Sequence, residues 1–547
     1  MTSHEAATPK THASELQEDS KRTSMTVDES GTHEDRGTPS ASDRTGVDEK
    51  KQSKVIERSR TENADEDEDV LIVDWDGADD PMNPKNWSYK KKWAATIVVS
   101  SFTFISPVSS SMIAPATGRL AEDFGITSSV VMALATSVFV LAYAFGPLVL
   151  GPLSEIFGRS RVLQLANLFY LVWNLACGFA QNTGQLIAFR FLAGLGGSAP
   201  LAAGGGVLSD IWAPEERGRA IAIYSLAPLL GPVLGPIAGA WVGEKSTWRW
   251  VFWSTSIVCV AVQISGLFFL RETYAPILLG QKAARIRKEL LQDPEKGRGR
   301  VVKTIYDTDD RHWKTIMTRS LVRPFALFFR EPIVQILGVY MAFIYGVFYL
   351  FLTTMPSIFE GVYKMPVGTA GLNYLALGVG LSGASQFNAR AMDKIYIHLK
   401  RKNNGEGKPE FRLPPMIPGT ILLPIGLFLT GWSAQKHVHW IVPDIGIAFI
   451  GAGMILTFQS IQIYVVDAFG LYAASALAAV SFLRSIAGFG FPLFAPTMYK
   501  HLGFGKGDSI LGALAIIFGC PAPFIFWKYG ERIRLSSRYA RRPPVSK

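Results

Sequence analysis

Cysteine is nearly absent: the 547 residues hold three, Cys177, Cys259 and Cys520, each isolated within an apolar stretch. Thiols so far apart give neither a disulfide framework nor a metal-ligand spacing, and they read as small packing residues. No G-x-x-x-x-G-K-[ST] loop occurs, so direct ATP drive from this chain is excluded. Nor is there a metal-ligand cluster or a nucleophile–base pairing, so no cofactor is expected and an enzyme is disfavoured. The chain also lacks an apolar h-region near Met1, so no cleavable secretory signal is expected. Charge is scarce, 18% of all residues. The formal net charge of +10 is spread over many short loops, which speaks against a nucleic-acid partner.

Apolar runs fill the space that charge leaves. Hydrophobic residues make up 48% of the chain and mean hydropathy is positive, although the first 90 residues are polar. A run of about twenty apolar residues matches the hydrocarbon thickness of a bilayer. Twelve such runs are predicted, at 93–113, 128–150, 162–182, 184–206, 219–241, 249–270, 332–355, 367–389, 413–433, 440–464, 470–495 and 508–527. The expected domains are a disordered tail (1–90), a six-helix bundle (91–270), a charged linker (271–331), a second six-helix bundle (332–528) and a basic tail (529–547). Within the linker, KAARIRKELLQ (282–292) has a helical pattern. Basic residues recur in alternate loops: Lys90, Lys91 and Lys92, then Arg159 and Arg161, Arg217 and Arg219, Arg390 to Lys402, and Arg532 and Arg534. By the positive-inside rule both termini are expected in the cytoplasm. No Asp or Glu falls near the middle of any predicted run. Arg190 and Arg484 are the clearly embedded charges.

Three motifs carry the functional reading. The first is GPLSEIFGRSR (151–161), in which Gly151 and Gly158 permit a tight turn beside Glu155, Arg159 and Arg161. The second is FRFLAGLGGSA (189–199), which places Arg190 in an apolar run, where a charge costs several kcal/mol unless it faces water or a partner. Both a proton-transfer role and hydrogen bonding to neighbouring backbone carbonyls remain open for it. The third is APLLGPVLGPIAG (227–239): Gly231, Gly235 and Gly239 line one helical face for close contact, while Pro232 and Pro236 remove backbone bonds.

The first motif resembles the loop between spans two and three of the major facilitator superfamily, and the third resembles the antiporter motif of its drug:proton exchangers. DPMNPKNW (80–87), RETYAPIL (271–278) and PEFRLP (409–414) are similar to signatures of fungal twelve-span drug:proton antiporters. The resemblance runs from about Asp80 to Arg534 and implies an all-α membrane protein with the major facilitator fold. It implies a cytoplasmic gate at Gly151, Glu155, Gly158, Arg159, Arg161, Asp210, Arg217 and Arg219, and proton coupling at Arg190. Glu155 stands where many members carry aspartate. The implied activity is secondary active efflux of small, mostly apolar toxic compounds such as antifungals, xenobiotics or secondary metabolites. Protons and the lipid bilayer would be its other partners, with a monomer in the plasma membrane. A narrow exporter of one endogenous metabolite, a proton-coupled nutrient importer and a vacuolar location stay open. From residue type and position, Tyr340, Tyr345, Tyr349, Asn373, Tyr374, Gln459 and Gln462 are the expected substrate-binding residues.

Overall fold

The structure, a computed structural model, describes residues 69–213, 216–292, 300–307, 313–537 and 539–540. The first half contains α1 (Tyr89–Ser111), α2 (Thr117–Phe124), α3 (Ser129–Phe157), α4 (Arg159–Gly178), α5 (Thr183–Gly197), α6 (Ala199–Ile211), α7 (Arg217–Lys245) and α8 (Arg249–Phe269). The linker forms α9 (Ala275–Gln292), a strand at Arg300–Thr304 and α10 (Trp313–Arg330). The second half contains α11 (Pro332–Pro356), α12 (Val367–Leu372), α13 (Tyr374–Lys402), α14 (Met416–Gln435), α15 (Ile441–Phe469), α16 (Ala473–Gly519) and α17 (Pro521–Ser536).

Among the described residues, nine helical segments are long and apolar enough to cross a membrane. The last of these, Ala473–Ser536, is two limbs rather than one rod. Gly503 breaks it with φ 73° and ψ 171°, backbone angles that only glycine adopts without strain. α4 and α13 have spanning length but are more polar; α4 buries Asn167 and Asn174, and α13 buries Ser385 and Asn388. The two amides of α4 are bonded by the neighbouring α8. Asn174 donates to Thr255 and Ser256 at 2.9 Å each, and Asn167 donates to Gln263 at 2.6 Å.

Helix pairing is extensive within each half: α1 with α7, α3 with α5 and α4 with α8 in the first, then α11 with α16 and α14 with α15 in the second. Two seams join the halves, α3 against α16 and α7 against α12 and α13. At the end away from the linker the second seam closes, where the Glu244 carboxylate accepts from the Gly368 amide.

Fixed structure begins before the expected start of the first bundle. The strand Asp69–Val73 pairs with Arg300–Thr304, and Val73, Ala283 and Val302 are buried together. The tail expected to be disordered through residue 90 is therefore ordered from Asp69. The short run DVLIV finds a pairing edge in the linker strand, and its last residue, Val73, is covered there. Residues 1–68 and 541–547 lie outside the described residues, as does the side chain of Arg217. The second bundle also runs on, since α17 ends at Ser536 rather than 528.

Candidate transport site

Beside the linker, the loop between α3 and α4 turns at Gly158, whose φ of 103° suits glycine and whose missing Cβ makes room for the Glu272 carboxylate. Glu272 accepts from the Arg159 and Ser160 amides at 2.9 and 3.3 Å, filling the positive end of α4. Arg159 Nε donates to Asp210 Oδ2 at 2.9 Å, and its guanidinium lies 4.9 Å from the centre of the Tyr274 ring. The first motif and the RETYAPIL segment thus meet in one cluster. Glu155, Arg161 and Arg219 are exposed around it, and Gly151 lies within α3, one face open. The second half has a matching cluster: Arg412 bonds Asp393 at 2.9 Å and Asp467 at 3.0 Å, and Arg534 bonds Glu410 at 3.0 Å. Each of these pairs lies within one half.

The glycines of the third motif bring α7 against α1. A Cβ on Gly231 would meet Pro107, one on Gly235 would meet Ser111 and Val108, and one on Gly239 would meet the Met112 carbonyl. On its other side α7 meets the second half, with Gly371 against Ala240 and Gly378 against Val233. Pro232 and Pro236 occur on this doubly packed helix. The motif builds a helix that packs against both halves.

Arg190 is 1% exposed. Its Nη2 donates to the carbonyls of Ser110 at 3.1 Å and Thr136 at 3.0 Å, and its Nη1 reaches Ser109 at 3.5 Å. One guanidinium thereby ties α5 to α1 and α3, the backbone-carbonyl arrangement rather than a pairing with an acid. Arg190 does not line the cavity, but it is linked to it, because Ser110 also hydrogen-bonds Tyr349 at 3.4 Å.

That cavity, about 580 Å³, lies between the halves and is lined by both. It runs from Pro107 and Tyr349 toward Ile221, Met392, Asp393 and Ile463 at the linker end. Of the residues expected to bind substrate, Tyr345, Tyr349, Gln459 and Gln462 line it. Tyr340, Asn373 and Tyr374 do not: Tyr340 is buried against Gly519, Asn373 bonds the Ala370 carbonyl, and Tyr374 bonds the Leu352 carbonyl at 2.6 Å. The wall also includes Tyr143, Tyr224, Asn388, Phe458 and Arg484. Asn388 donates to Gln459, which donates to Ser385, both at 2.8 Å. Pro228 and Pro232 bring the third motif into the wall. A smaller cavity of about 370 Å³ lies toward the opposite end, again shared by both halves, with Thr136, Thr354 and Tyr499 in its wall.

One acid escaped the sequence reading. Asp508, predicted at the very edge of a run, is fully buried. Tyr499 donates to its Oδ1 at 2.6 Å, while Oδ2 has no partner.

Residues 99–492 match the family model described as Major Facilitator Superfamily. The chain belongs to the major facilitator superfamily. It is 48% identical over 476 residues to the efflux pump vrtL of Penicillium aethiopicum, covering 87% of this chain and 93% of that protein. It is 46% identical over 473 residues to the MFS-type transporter penM of Penicillium rubens, covering 86% and 91%. Among solved structures, the xylose transporter XylE of E. coli aligns with a TM-score of 0.58 at 15% identity, covering 80% of this chain and 98% of that one. A bacterial homologue of the human lysosomal transporter Spinster aligns with a TM-score of 0.59 at 13% identity, covering 84% and 100%. These two likenesses concern the fold. This superfamily member is a multi-pass membrane transporter.

Proposed function

We propose that this transporter exports small organic compounds from the cytoplasm in exchange for protons, acting as a monomer in the plasma membrane with both termini inside. The observation that carries the reading is the cavity lined by both halves and reaching the linker end. If the linker lies in the cytoplasm, as its basic residues favour, that cavity faces the side from which an exporter loads. The relative in Penicillium aethiopicum is named an efflux pump, which favours export over import.

Two halves joined along two seams suit alternating access by rocking. Rocking the halves would part the Glu244–Gly368 contact and bring the two charged clusters together, converting one cavity into the other. Arg159 and Asp210, with Glu155, Gly158 and Arg161 around them, form the first-half face of that gate. Arg190 contributes to coupling by holding Ser110, and through it Tyr349, in register. Asp508 is the titratable group we assign to the proton, since it is sealed in the second half beside Tyr499 and has a free oxygen.

Accumulation of a panel of antifungals and dyes in a pump-deficient yeast, with and without a protonophore, tests the reading. Lower accumulation that the protonophore abolishes supports it; raised uptake of any compound overturns export.

A further inference from the structure

Arg484 differs from Arg190 in having no polar partner. Its guanidinium carbon lies 5.0 Å from the centre of the Tyr345 ring and 5.1 Å from that of Phe458. Those two rings are stacked at 6.5 Å with an angle of 22° between them. Nε is sealed from solvent without a hydrogen-bond acceptor, and among the described residues no acid pairs with the guanidinium. The side chain lines the central cavity.

A guanidinium has five N–H donors and stays charged in a protein. Aromatic faces attract it but accept few of those hydrogens. The sealed Nε is left unpaired at a cost, while the rest of the part-buried guanidinium faces the cavity. The wall supplies no counter-charge: its described acid, Asp393, is already paired with Arg412 at 2.9 Å. Asn388 donates to Gln459, and neither amide bonds Arg484. The guanidinium therefore faces the cavity as an uncompensated charge, and an anionic cargo would supply its counter-charge.

Resting on the export reading, we propose that the cargo is an aromatic carboxylate, its acid group paired with Arg484 and its ring laid against Tyr345, Tyr349 and Phe458. A carboxylate matches the planar guanidinium fork through two parallel hydrogen bonds. A flat ring fits the aromatic wall, and about 580 Å³ accommodates a molecule of drug size. An ammonium group would meet repulsion at the same place. The charge preference is therefore built into the cavity, while the ring wall leaves breadth in the carbon skeleton.

The test uses 2-naphthoate and 2-naphthamide, nearly equal in shape but different in charge. Binding of each is measured on the full-length protein in nanodiscs, for wild type, Arg484→Gln and Arg484→Lys. Wild type is expected to prefer the anion by about tenfold or more, Arg484→Gln to lose that preference, and Arg484→Lys to keep part of it. The ratio is internal to each variant, so partial misfolding lowers both ligands together. Equal binding of the two by wild type, an unchanged ratio in Arg484→Gln, or binding of neither overturns the proposal. Vesicle transport separates the two readings. An Arg484-dependent anion preference without movement of either compound sinks export but keeps recognition. Export of naphthamide, with naphthoate neither bound nor moved, does the reverse.

Discussion

Arg159 and Arg412 hold corresponding stations in the two halves. Arg159 Nε lies 2.9 Å from Asp210 Oδ2, and Arg412 Nε lies 3.0 Å from Asp467 Oδ2. Each arginine follows or precedes a loop between two long helices, and each aspartate closes the helix that comes two further along or next in its own half. The internal repeat of the fold is thus written in ion pairs as well as in helix order. Both clusters lie at the linker face, where the proposed gate would bring them together.

Asp210→Asn should leave the half-buried Arg159 uncompensated. A loss of about 1–3 kcal/mol in stability is expected from one broken pair of this burial. Export should fall more than the melting temperature suggests, because the pair also shapes the gate. Thermal unfolding and transport, measured on one preparation, check this. Wild-type transport in a destabilised Asp210→Asn would reduce the pair to a structural brace.

Gly239→Val should drive α7 off α1, since even a Cβ there meets the Met112 carbonyl. Overpacking of this kind typically costs about 1–3 kcal/mol, and more where backbone is struck. Gly205→Ala is the control: nothing lies within 4 Å of its added Cβ. Folded yield by size-exclusion should drop for the first and hold for the second.

Arg190→Lys should retain part of the function that Arg190→Leu loses. A single ammonium could serve the Ser110 and Thr136 carbonyls, as Nη2 does, but its shorter stem reaches less far and it has no second nitrogen for Ser109. The leucine variant removes the donor shared by the Ser110 and Thr136 carbonyls, a cost of roughly 1–3 kcal/mol. If Arg190→Leu is as stable as wild type, the three-helix tie is not what Arg190 supplies.

Asp80 gives a pH prediction outside the membrane. The Asp76 amide holds its carboxyl below the ordinary value of 3.8 against the opposing effect of burial, with help from the Met82 amide and Lys282. A depressed folded pKa stabilises above 3.8 and loses that contribution as pH falls through the lower, folded value. The protection of amides in residues 76–82, taken relative to the intrinsic exchange rate at each pH, should hold from neutral pH down to about 3.8 and fall only below it. Protection lost already at pH 5 would contradict the assignment.

Much of this was legible in the sequence, for identifiable reasons. Apolar runs and alternating basic loops report the bilayer directly, and the glycine row at Gly231, Gly235 and Gly239 reports a close helix contact. The site was half legible. Tyr345 and Tyr349 are four apart and share a face, whereas Tyr340 is five residues earlier, about 140° round the helix, and packs away from the cavity. An all-apolar helix hides which face is inward, so residue type alone could not separate them. Asn388 and Gln459 are joined across 71 positions, a pairing that no local pattern reveals. Asp508 was obscured by the break at Gly503, because a run read as starting at 508 puts the acid at a helix end instead of inside one.

The central claim is proton-driven export, and reconstituted vesicles test it most directly. Protein is placed in liposomes with an acidic lumen, 2-naphthoate is added outside, and lumenal uptake is followed before and after the pH gradient is collapsed. Proton exchange predicts accumulation above the outside concentration, released on collapse, and absent for Asp508→Asn although that variant still equilibrates the compound. Uptake that never exceeds the outside concentration, or that survives collapse of the gradient, would contradict it.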